Sequence, residues 1–191
     1  MNTKRQVGYG YPGEKHVPLF VKGRLKQASY MGPGTNLIRR LQNEDKPLTY
    51  ADRTAKLHDI MYSISDNANM IRHADNIMLK NLDKIEKKNL DNKFNINLGR
   101  IGIKAKTLGE DVGILKKGSF GGLDKEKVYS KEDKLLLVKN MKNEMNFFAG
   151  LGYCEGGQIT LADVQRRMAA IAEDNKKRYR WDPVSKTMYK A

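Results

Sequence analysis

The chain has 191 residues, and 36 Lys plus Arg against 22 Asp plus Glu give a formal net charge of +14 at pH 7. Its hydrophobic share of 39% and charged share of 30% depart from the ~45–50% and ~25% of average globular chains, which predicts one core-forming domain with an arm that is extended or packs on a partner. A single cysteine, Cys154, excludes a disulfide framework and any zinc site of several cysteines.

The N-terminus is polar, and runs such as Leu135-Leu136-Leu137-Val138 fall far short of the ~20 apolar residues that span a bilayer. The expected setting is therefore intracellular and soluble, or within a particle, with membranes touched only at their surface. The positive balance predicts attraction to polyanions, either nucleic acid or an anionic leaflet.

Pro12, Pro18, Pro33 and Pro47 crowd the first quarter, and no proline follows before Pro183. The first 48 residues thus read as an irregular lead-in, and the proline-free stretch as mostly helical. Thr49 is placed to cap a first helix, with Asp52 three residues on as in a capping box. Ala51, Ala55, His58, Asp59 and Tyr62 recur along one stripe of that helix. Ser65-Asp66-Asn67 supplies a turn and a fresh cap. A second helix to about Leu90 then carries Ile71, Asp75, Met78, Leu82 and Ile85 at helical offsets. Glycines punctuate residues 99–122 and predict turns or a poorly regular segment. Lys131 to Phe148 reads as a helix with Leu135, Val138, Met141, Met145 and Phe148 as its stripe. Residues 149–158 read as a glycine-rich linker, and Thr160 as the cap of a last helix to about Asn175. A basic and aromatic stretch, Lys176-Lys177-Arg178-Tyr179-Arg180-Trp181, follows.

Charged residues interrupt the apolar stripes: His58 and Asp59 on the first helix, Asp75 on the second. A buried carboxylate is costly unless partnered, and helices joined by a short turn pack antiparallel, which brings Asp75 across from His58. Upstream, Tyr30-Met31-Gly32-Pro33-Gly34-Thr35 can aim the alternate carbonyls of Tyr30, Gly32 and Gly34 at one point, because glycine tolerates the unusual φ this needs. With Asp59 adding a charged oxygen, such a set suits calcium, which takes about six to eight oxygen ligands. His58 and Asp59 point roughly 100° apart on a helix, so one can face a metal while the other faces a substrate. Tyr62 is one turn beyond both. Each feature alone has an ordinary reading, a satisfied histidine or a proline–glycine turn; together and in register they favour a site. His73 reads as solvent-facing.

Three blocks in order, Tyr30-Met31-Gly32-Pro33-Gly34, then Asp52-Arg53-Thr54-Ala55-Lys56-Leu57-His58-Asp59-Ile60-Met61-Tyr62, then His73-Ala74-Asp75, resemble the calcium loop and catalytic helices of secreted-type phospholipases A2. They are more similar to the phospholipase A2 domain in the N-terminal part of parvovirus minor capsid proteins, which also lacks the disulfides. The resemblance, which covers roughly residues 8–90, implies a mainly α fold with a calcium loop and two antiparallel catalytic helices, in a domain over residues 1–95. Residues 96–191, which it does not cover, read as a basic, partly helical C-terminal extension or assembly arm. The resemblance implies His58 as the general base toward the water that attacks a phospholipid sn-2 ester. Asp75 would fix the His58 tautomer, and Tyr62 would support the carboxylates. Ca2+ would be held by Asp59 and the carbonyls of Tyr30, Gly32 and Gly34. In this reading the protein is a minor virion component that breaches a host membrane during entry.

The alternative is a non-catalytic virion protein whose basic arm, with Arg166, Arg167, Lys176, Lys177, Arg178 and Arg180, binds nucleic acid or capsid neighbours. Nucleic acid, membrane and protein stand equal as partners of that arm. No capsid jelly-roll sequence follows the three blocks, so a stand-alone protein or a minor component of a larger particle is expected.

Overall fold

The structure is a computed structural model that describes residues 11–65, 67–115 and 129–151, together with the backbone of two short strands at 179–182 and 187–190. The chain separates into two compact units, 1–153 and 154–191.

Residues 11–48 are more regular than their prolines and glycines imply. Strands β1 (Pro18–Val21) and β2 (Arg24–Gln27) pair antiparallel, Leu19 opposite Lys26 and Val21 opposite Arg24. Lys22 (φ 49°) and Gly23 (φ 78°) both take the left-handed region, which is the two-residue turn whose twist matches a hairpin. A short helix, α1 (Leu37–Gln42), follows the glycine loop.

Thr49 caps α2 (Tyr50–Ile64), its hydroxyl accepting the Asp52 N–H at 3.1 Å. Asn67 caps α3 (Ala68–Lys87) by accepting the Met70 N–H at 3.0 Å. Across the short turn α3 packs back along α2, and Ile71, Asp75, Met78, Leu82 and Ile85 are all buried. His73, expected to face solvent, is half-buried.

The segment expected to break at its glycines is instead α4 (Lys93–Asp111), capped by Asn92. Glycine in a helix costs up to about 1 kcal/mol against alanine, and here packing offsets it. A Cβ on Gly99 would lie 3.1 Å from Leu82 Cδ1 and 3.4 Å from the Cε of both Met31 and Met78, so the missing side chain lets α4 sit close on α3. The domain boundary expected at 95/96 falls in the first turn of this helix. Buried Asn95 accepts the Phe20 N–H at 2.7 Å and donates to the Phe20 carbonyl at 2.9 Å, so a side-chain amide ties the hairpin to α4.

Helix α5 (Lys131–Gly150) opens with a capping box of Ser130 and Asp133. Its buried residues are Leu137, Met141, Glu144 and Phe148; Met141 and Phe148 belong to the expected stripe, but Leu135 is exposed and Leu137 and Glu144 take inward positions instead. Glu144 explains the shift. It takes an inward position because α2 presents two cations to it, Arg53 Nε at 2.5 Å and Lys56 Nζ at 2.9 Å. The Arg53 guanidinium also lies 3.4 Å over the Phe147 ring.

In the second unit β3 (Tyr179–Asp182) and β4 (Thr187–Lys190) pair antiparallel, Trp181 opposite Met188. These strands lie beyond the last expected helix, which ends at about Asn175, in a stretch read only as basic and aromatic. The helix expected from Thr160 to Asn175 lies outside the described residues, as do Arg166, Arg167, Lys176, Lys177 and Arg178, while Arg180 belongs to β3. Among the described residues no helix is long and apolar enough to cross a membrane.

Glu144→Ala strips Arg53 and Lys56 of their shared carboxylate. Since Arg53 keeps some access to water, the expected loss of stability is about 1–3 kcal/mol, read from the urea midpoint at pH 7. An unmoved midpoint would show that α5 docks without this pair.

Candidate active site

Two buried carboxylates hold the loop between β2 and α1 from its two ends. Asp52, in the first turn of α2, accepts four backbone N–H groups. Those of Tyr30 (2.8 Å) and Met31 (2.9 Å) reach Oδ1, and those of Ser29 (3.1 Å) and Leu48 (2.9 Å) reach Oδ2. Burial raises the Asp52 carboxyl above its ordinary range while these four bonds pull the other way. Glu14 serves the far end. Its Oε1 accepts the Asn36 N–H and Arg40 Nε, both at 2.8 Å, and its Oε2 accepts the Tyr11 N–H at 2.6 Å and Arg40 Nη2 at 2.5 Å. Burial also pushes Glu14 up, but Arg40 and the backbone donors outweigh it and hold the carboxyl below its usual range.

Between these anchors the loop sorts its carbonyls by direction. Those of Met31 and Pro33 accept the N–H groups of Val17 (3.0 Å) and Lys15 (3.1 Å). Those of Tyr30 and Gly32 converge, each 3.3 Å from the Thr35 hydroxyl. Gly32 sits at φ 144°, where a Cβ would lie 2.4 Å from the Lys15 carbonyl oxygen, so no other residue allows this approach.

His58 and Asp59 lie about two turns beyond Asp52 on α2. His58 Nε2 is 2.9 Å from Asp75 Oδ1 on α3. An ionised carboxylate only accepts, so Nε2 carries the hydrogen and Nδ1 keeps a lone pair. Nδ1 faces Asp59 Oδ1 at 3.7 Å, beyond hydrogen-bonding distance. Burial disfavours a charged imidazole, but Asp59 and Asp75 outweigh it and hold the His58 pKa above its ordinary value. Tyr62 donates its hydroxyl to Asp75 Oδ1, and its ring packs 4.0 Å from the imidazole. Burial and the neighbouring Asp75 push the phenol pKa up.

The sequence-read residues thus fall into three groups. His58, Asp75 and Tyr62 touch one another; the carbonyls of Tyr30 and Gly32 converge; Asp59 adjoins the free nitrogen of His58. Among the described residues no hydrogen bond joins Asp59 to the loop. Asp59 Oδ2 is buried with no hydrogen-bond partner, which is costly for a carboxylate and is relieved by a cation. Among the described residues no group of three or more His, Cys, Asp or Glu is arranged to hold a metal; the candidate donors here are carbonyls and one carboxylate. Hard oxygen donors of this kind fit calcium.

Residues 22–106 match the model of the phospholipase A2-like domain family. This segment is similar to phospholipase A2-like domains. No curated protein and no solved structure matches the chain. The match runs from the hairpin turn through the loop, α2 and α3 into α4, and leaves α5 outside.

The last residue of the matched segment, Lys106, reaches the site but escapes the sequence pattern. Buried on α4, its Nζ lies 2.7 Å from Asp75 Oδ2, 2.6 Å from Tyr62 Oη and 3.1 Å from Glu110 Oε1. Burial raises the Asp75 carboxyl, yet His58, Lys106 and Tyr62 together bring it below its ordinary range. The signal was available: Gly99, Ile103, Lys106 and Glu110 form one buried stripe of α4, visible once that segment is taken as helix.

Glu14→Gln removes a charge whose native pKa is depressed. Its contribution to stability is complete above the unfolded value of ~4.3 and is lost as pH falls through the lower native value. The urea midpoint of the unmodified protein is expected to exceed that of the variant at pH 7, with the gap closing as pH falls below about 4.3. A gap that stays constant down to acid pH would exclude the ionic role of Glu14.

Proposed function

We propose that the phospholipase A2-like domain hydrolyses the sn-2 ester of phospholipids with calcium as cofactor. The family match supports phospholipase-type hydrolysis of lipid. The finer reading is carried by the 2.9 Å His58–Asp75 hydrogen bond beside the buried, unpartnered Asp59 oxygen.

In this reading His58 Nδ1 takes a proton from the water that attacks the ester carbonyl, and later returns it to the leaving alcohol. Asp75 keeps the hydrogen on Nε2 and stabilises the imidazolium as it forms. Tyr62 holds the Asp75 carboxylate in place. The carbonyls of Tyr30, Gly32 and Gly34 with the Asp59 carboxylate would hold calcium, whose charge supplies polarisation of the ester and stabilisation of its oxyanion. No side-chain nucleophile is required.

The proposed setting is a minor virion component that breaches a host membrane during entry. Its supports are the resemblance of the three sequence blocks to the domains of parvovirus minor capsid proteins and the net charge of +14, since each basic residue near an anionic leaflet adds about 1 kcal/mol of attraction. Arg166, Arg167, Lys176, Lys177, Arg178 and Arg180 are the proposed contacts to capsid neighbours or nucleic acid.

Release of sn-2 fatty acid from mixed phospholipid vesicles tests the reaction, with calcium and again with excess chelator. Release is expected only with calcium, and His58→Asn is expected to lower it about 10²–10⁴-fold while the far-ultraviolet dichroism stays unchanged. No release by folded protein, even after mild heat or acid, would leave the non-catalytic virion role. Asp59→Asn is expected to weaken calcium binding measured by titration calorimetry. Equal affinity in the two proteins would remove Asp59 from the ligand set.

A further inference from the structure

We propose that Lys106 is a positioning residue of the His58–Asp75 couple, its ammonium locking the Asp75 carboxylate so that Oδ1 stays aimed at His58 Nε2–H. This role rests on the hydrolytic reading above and deepens it.

An ammonium has three hydrogens and no acceptor. Lys106 Nζ has three acceptors within reach: Asp75 Oδ2 at 2.7 Å, Tyr62 Oη at 2.6 Å and Glu110 Oε1 at 3.1 Å. Because Tyr62 Oη receives a hydrogen from Lys106, its own hydrogen goes to its other neighbour, Asp75 Oδ1. The cation therefore sets the direction of the whole network. Oδ2 is held by the ammonium, and Oδ1 is shared by the phenol and the imidazole. A carboxylate pinned through both oxygens cannot rotate, and the position of the imidazole hydrogen follows from it. If Lys106 served only as an ion-pair partner one helical turn before Glu110, Nζ would sit closest to Glu110. It sits closer to Tyr62 and Asp75. The site thus spans three helices: α2 for the base, α3 for its carboxylate, and α4 for the group that orients the carboxylate.

The test uses Lys106→Met, similar in length and uncharged, with Lys106→Gln beside it. Two readouts are taken: kcat and KM on a short-chain phosphatidylcholine below its micelle concentration, and the proton–nitrogen resonances of the His58 ring in metal-free protein. With the dichroism spectrum retained, kcat is expected to fall about 10–100-fold, the usual loss when support of a functional imidazole is removed, with KM little changed. The Nε2–H resonance is expected to weaken as the other tautomer gains population. A folded variant with both kcat and the His58 resonances unaltered would overturn the role. So would loss of folding in both variants, since Lys106 would then be a structural tie. Absence of hydrolysis by the unmodified protein would refute the proposed reaction alone, because the resonances still report whether Lys106 sets the tautomer.

Discussion

Four backbone N–H groups from two separate segments end on the carboxylate of Asp52, and the geometry of everything around them follows. Buried N–H groups without acceptors are rarely tolerated, and Ser29, Tyr30 and Met31 have theirs aimed away from solvent and away from any strand partner. Asp52 lies in the first turn of α2, where a negative charge also suits the helix dipole. The loop is thereby fastened to the same rigid rod that carries His58 and Asp59. Glu14 fixes the other end through Asn36 and Arg40, so the stretch with Gly32 and Gly34 is held at both ends and keeps two carbonyls turned inward together. Support of this kind would let weak donors act as a defined set.

The remaining buried charges are arranged in closed groups. Asp75 meets His58, Tyr62 and Lys106; Glu110 meets Lys106 and Arg72; Glu144 meets Arg53 and Lys56. Removing charge from water is costly unless the hydrogen-bonding capacity is filled, and these groups fill it with partners from different helices. Among the described residues, the one buried carboxylate oxygen without a hydrogen-bond partner, Asp59 Oδ2, belongs to the carboxylate that faces His58 Nδ1. Saturation around the couple and an unpartnered oxygen beside it would separate the groups that position from those that react.

Helices α2 and α3 were legible because their caps, Thr49 and Asn67, precede apolar positions at helical spacing, and Asp75 stood out as a charge inside such a stripe. The Tyr30–Thr35 loop was legible from glycine at alternate positions. Elsewhere the same cues misled. Gly99 looks like a helix breaker, yet it marks a place where α4 sits directly against Leu82 and Met78 of α3. Lys22-Gly23 is a turn too short for composition to register. Lys106 and Glu144 look like solvent-facing charges, because nothing local shows that Asp75 or Arg53 will lie opposite them. Asp52 was visible as part of a motif, but three of its four donors come from residues distant in sequence, and its function as an anchor emerges only in three dimensions.

The notch at Gly99 is filled by the methyl groups of Met31 and Met78, and Met31 is also a loop residue whose N–H ends on Asp52 and whose carbonyl meets Val17. A soft thioether thus forms the joint between the loop and the helices behind it. Its conversion to a sulfoxide would place a bulky dipole in an apolar seat and lever the backbone that holds the Tyr30 and Gly32 carbonyls. The direction of the loop carbonyls would then follow the oxidation state of that sulfur atom.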